Sequence, residues 1–72
     1  MNKGRVARQL WTIGLDIDML DFKLSMALID VDELEVSEEE KAAIVQKITD
    51  IRQALKAEAA KVSDLETDLR WK

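Results

Sequence analysis

Asp30, Asp32, Glu33, Glu35, Glu38, Glu39 and Glu40 crowd nearly half of the chain's 15 acidic residues into one short stretch. Among all the residues here, these come nearest to a chemical site. Carboxylates at alternate positions could hold a calcium ion. Asp30-Val31-Asp32, however, is not followed by the further oxygen ligand, the turn glycine and the terminal glutamate that an EF-hand loop requires. The cluster could instead imitate a run of phosphates and occupy the basic groove of a nucleic-acid-binding protein. A third account needs no ligand, because Glu38, Glu39 and Glu40 suit the positive end of a helix dipole.

The rest of the composition removes most other chemistry. With no histidine and no cysteine, the chain lacks the usual zinc ligands, the commonest general base, the strongest common nucleophile and any disulfide. It also lacks a glycine-rich phosphate loop, a catalytic triad, and a basic patch with stacking aromatics. An enzyme is therefore not expected, and no catalytic, cofactor-binding or metal-binding residue is assigned. A net charge of −4 argues against an electrostatic grip on nucleic acid or on an anionic membrane. No apolar run approaches the ~20 residues of a membrane span. Lys3, Arg5 and Arg8 ahead of apolar residues superficially resemble a secretory signal, but Asp16 and Asp18 interrupt the apolar part. The expectation is a mature, soluble, cytoplasmic protein.

The elements that carry these residues read as two helices in a single 72-residue domain with no proline. Met1 to Gly4 reads as a frayed lead-in, with Asn2 available as a cap and Gly4 as a weak stop. From about Arg5 to Val31 the spacing is helical along two opposite sides. Val6, Leu10, Ile13, Ile17, Leu20, Leu24, Ala27 and Val31 form one stripe. Trp11, Leu15, Met19, Phe22, Met26 and Ile29 form a second, turned by roughly half a circle. Gly14 costs the helix up to ~1 kcal/mol relative to alanine, as a tolerated polar-seam position or as a point of close backbone approach.

Residues 31 to 37 connect the helices, and Leu34 and Val36 are expected to fold over the end. Ser37 with Glu40 matches a capping box, so the second helix is predicted from Glu38 to about Arg70. Its seam is Ile44, Ile48, Ile51, Leu55, Glu58, Val62, Leu65 and Leu69, with Glu58 the one charged member. So short a connection predicts an antiparallel hairpin whose facing residues have numbers summing to roughly 69. The first stripe and this seam then cover each other, and Glu58 lies near Leu10 and Trp11.

The second stripe is left over, and with it on the order of 10 kcal/mol of burial at ~1.5–3 kcal/mol per large side chain. Soluble monomers seldom expose such a row. The sequence thus predicts an all-α hairpin that dimerises into a four-helix bundle, with Trp11, Leu15, Met19, Phe22, Met26 and Ile29 as its protein interface. Its expected role is a small non-enzymatic interaction or scaffolding module, partnered by itself and by another protein. The alternative is an acidic, phage-type inhibitor acting through Asp30, Asp32, Glu33, Glu35, Glu38 and Glu39. The acidic connecting end and the opposite end, with Lys3, Arg5, Arg8, Lys61, Arg70 and Lys72, favour laying two hairpins antiparallel.

Overall fold

Asn2 opens the first helix. Its side-chain Oδ1 accepts the Arg5 backbone N–H at 3.0 Å and its carbonyl accepts the Val6 N–H at 3.2 Å, satisfying donors that a helix start otherwise leaves to water. In the computed structural model, which describes residues 2–71, α1 accordingly runs Lys3–Val31. It starts earlier than the pattern predicts, and Gly4 sits inside its first turn rather than stopping it. Met1, part of the expected lead-in, lies outside the described residues, as does Lys72.

The second helix, α2, runs Glu38–Trp71 and begins where the capping pattern places it. Ser37 Oγ accepts the Glu40 N–H at 3.1 Å, and the Ser37 carbonyl accepts the Lys41 N–H at 3.0 Å. The two helices pack on each other as an antiparallel hairpin, and no strand occurs among the described residues. The result is a rod of 55 × 15 × 13 Å. Its radius of gyration is 16.6 Å, against about 11 Å for a globular chain of this length.

The register differs from the expectation by one helical turn. Asp21 meets Arg52, and Lys41 Nζ donates to the Asp32 carbonyl at 3.0 Å, pairs whose numbers add to 73 rather than 69. The connection explains the shift. Asp32, Glu33 and Leu34 donate their N–H groups to the carbonyls of Ile29, Asp30 and Val31 at 3.3, 3.0 and 3.1 Å, so the chain winds on through tight turns before it crosses over. Buried Val31, not Leu34 or Val36, closes this end; those two stay 43% and 36% exposed. Lys41 reinforces the closure by placing a cation at the negative end of α1.

The helices are also rotated relative to the expected seam. Along α1 the inward positions are Ala7, Leu10, Gly14, Ile17, Asp21, Leu24, Leu28 and Val31; along α2 they are Ile44, Ile48, Arg52, Leu55, Ala59, Val62, Glu66 and Leu69. Alternate members of each predicted row, with Ile44 the exception, have been replaced by their neighbours. Val6, Ile13 and Leu20 are left 43%, 44% and 50% exposed, and Ile51 and Leu65 49% and 53%. Glu58 is off the seam altogether, exposed and paired with Lys61 on its own helix at 3.3 Å. The expected mutual coverage of the two apolar rows is therefore only half realised. Among the described residues, Ala7 and Val31 alone are buried apolar residues, 2% and 6% exposed.

Gly14 lies on the inward side of α1, yet a Cβ built there meets no atom within 4 Å. It opens a groove rather than allowing a close backbone approach. Gly14→Ala is therefore expected to add up to ~1 kcal/mol of stability through helix propensity alone, read from urea denaturation at fixed protein concentration. A loss of stability would mean that the space is needed.

Candidate protein-interaction surfaces

The helical rotation divides the surface of the rod into edges of different chemistry. On the outer side of α1, Trp11, Leu15, Met19, Phe22, Met26 and Ile29 form the row predicted to be left over. All six are exposed, from 47% at Met26 to 63% at Ile29. Helical spacing brings them to one side, and two of them, Trp11 and Leu15, also border α2 across a groove.

A second apolar surface was not expected. Gly14, Trp11 and Asp18 of α1 line one groove with Ala59, Lys56 and Ser63 of α2, which fixes these rows on one edge of the hairpin. The rows on the other flank of each contact line must then share the opposite edge. There Val6, Ile13 and Leu20 of α1 stand beside Ile51 and Leu65 of α2, over a floor of half-buried Leu10, Ile17, Leu24, Ile48, Leu55 and Val62. The first stripe and the α2 seam therefore lie side by side and form a face two helices wide. Sequence periodicity named its members but assigned them to the interior. Asp16, Lys23 and Asp30, all exposed, run along α1 between this face and the outer row.

The groove is lined by apolar Trp11, Leu15, Ala59, Ala60 and Val62 as well as by Asp18, Lys56 and Glu66, and an ion pair crosses between the helices. Arg52 Nε donates to Asp21 Oδ1 at 2.8 Å and Nη2 to Oδ2 at 3.4 Å, with both side chains about three-quarters covered. This two-pronged pair ties the middle of α1 to the middle of α2. The Arg52 hydrogen bond holds the Asp21 carboxyl below its ordinary value of 3.8, with the charges of Arg52 and Lys56 adding to the effect and burial opposing it. Sequence reading placed Asp21 on a polar seam and Arg52 on a charged flank. Only the 73 register brings them together.

At the connecting end, Asp30, Asp32, Glu33, Glu35, Glu38 and Glu39 are all exposed. Among the described residues no group of carboxylates is arranged to hold a metal ion, and no helix is long and apolar enough to cross a membrane. Lys3, Arg5 and Arg8 are exposed at the opposite end. There Arg70 pairs with Glu66 within α2 at 2.6 Å. No family model matches the chain, and no curated protein or solved structure is similar to it.

The ion pair makes stability depend on pH in a stated direction. Because the folded-state carboxyl of Asp21 is depressed, its contribution is fully present above the unfolded value of about 4 and is lost as pH falls through the lower folded value. Asp21→Asn should thus lower the thermal midpoint at neutral pH, with the gap from the parent chain closing in strong acid. Circular dichroism melts at both pH values provide the check, and an equal gap at both would remove Asp21 from this role.

Proposed function

We propose that this chain is a small, non-enzymatic protein-contact module that acts as a helical homodimer and offers apolar surface to another protein. One observation carries the reading: fifteen large apolar side chains among the described residues are at least 36% exposed, on a rod whose total accessible surface is 5776 Å². A compact protein of 8.2 kDa exposes roughly 4,500 Å². The excess is larger than the ~800 Å² that each partner contributes to a stable interface of ordinary size. The outer row of α1 supports the docking part of this role, since methionines adapt to varied partners and aromatic residues anchor them.

The acidic connecting end supports a second reading, an inhibitor of phage type that blocks a basic site on a target enzyme. Six exposed carboxylates project from one tip of the rod, where Lys41 donates to the Asp32 carbonyl and pairs with Glu38 at 3.9 Å. Screened charges of this kind steer association more than they hold it.

Sedimentation equilibrium at micromolar concentration should give twice the chain mass of 8.2 kDa, and a monomer throughout would overturn the homodimer. The two readings part on charge. Replacing Asp32, Glu33, Glu35 and Glu39 together with Asn or Gln should leave partner binding nearly intact if apolar surface does the work. Loss of binding, together with steep weakening as salt rises from about 0.05 to about 0.5 M, would favour the inhibitor.

A further inference from the structure

We infer that the second copy of the chain packs on the face two helices wide, with the rods antiparallel, α1 over its counterpart and α2 over its counterpart. The outer row of α1 then stays uncovered for a different protein. This assignment rests on the homodimer reading above and says which of the two apolar surfaces makes the dimer.

The residue types separate the surfaces. Val6, Ile13, Leu20, Ile51 and Leu65 are stiff or well-rotamered aliphatics of the kind that fill a close-packed interior. The outer row holds Trp11, Met19, Phe22 and Met26, the adaptable and anchoring types of a docking surface. Width separates them too. A flat face contributed by both helices is matched along its whole 55 Å length by another copy of itself, and joining two such faces gives the core of a four-helix bundle. The outer row is one helix wide except where Trp11 and Leu15 border α2, and it offers each partner less area.

Charge then selects the orientation. A parallel pair would set two acidic connections, Asp30 to Glu40, against each other. Inverting one rod places the exposed Lys3, Arg5 and Arg8 of each protomer beside the acidic connection of its partner. Glu58 is the charged residue that points out of the face, and it comes with its own counter-ion in Lys61 at 3.3 Å. Exchanging it for an aliphatic residue should therefore strengthen the dimer.

The test uses four single variants and one label, with circular dichroism to confirm helicity. In sedimentation equilibrium, Leu20→Asp and Ile51→Asp should dissociate the dimer while Phe22→Asp leaves it assembled. Glu58→Leu should tighten it by about tenfold or more, which keeps the test valid even if an aspartate variant unfolds. The sequence has no cysteine, so Glu35→Cys accepts a single spin label. Label-to-label separation should approach the 55 Å length of the rod, and not the roughly 20 Å or less of two connections side by side, about two helix diameters. Dissociation by Phe22→Asp with Leu20→Asp and Ile51→Asp still dimeric would overturn the face assignment yet keep the homodimer. Unchanged affinity in Glu58→Leu would also overturn the face assignment. A short label separation would overturn the orientation, and a wild-type monomer would overturn the homodimer itself.

Discussion

Two α-helices touch along a single line, and in this chain nearly all else depends on that limit. An apolar stripe on a helix is wider than the line it can bury, so a lone pair must leave part of every stripe in water. A third and fourth helix normally cover the remainder. Here the connection is short, and α1 and α2 already account for 63 residues, 29 and 34 respectively. Within these two helices, the apolar surface that one contact line cannot cover stays exposed. With two buried apolar residues among those described, the isolated hairpin sits below the size at which a single core normally suffices.

Given one line of contact, the helices must choose which part of each stripe to spend on it. Small and polar residues decide the matter. Gly14 and Ala59 bring no bulk to the groove edge, and Asp21 with Arg52 form a two-pronged pair that can be made only if both are turned toward the seam. Turning them in carries Ile13, Leu20, Ile51 and Leu65 out to the other edge. The hairpin thereby gains a cross-helix ion pair on one side and an exposed aliphatic row from both helices on the other. On the proposed reading, this asymmetry is what would set the direction of association.

Most of the fold was legible in the sequence, since helix type, helix length and hairpin topology follow from periodicity, missing breakers and the capping box at Ser37. The outer row was legible too, because six large apolar residues opposite the main stripe can be read at 100° per residue without knowing any partner. What escaped was rotation and register. A row such as Ile44, Ile48, Ile51 and Leu55 fits the contact line as well as Ile44, Ile48, Arg52 and Leu55 does if only hydrophobicity is scored. The second is chosen by a partner 31 positions away in sequence, Asp21. Register was equally hidden, because tight turns through Leu34 add rise that a symmetric loop would not. Glu58 was misplaced for both reasons together.

On the proposed reading, two apolar surfaces separated by Asp16, Lys23 and Asp30 would make assembly and recognition independent in a way that a single stripe could not. If one surface served both purposes, a partner protein would compete with the second copy, and binding would carry the free-energy cost of dissociating the dimer. With the aliphatic face spent on a second copy, the row from Trp11 to Ile29 is instead held on a more rigid support, and an antiparallel arrangement presents it twice. Two identical docking rows on one rod raise the effective concentration for any partner that is itself repeated or dimeric. On the proposed reading, the physical advantage of so small a scaffold is that neither helix needs a third in its own chain.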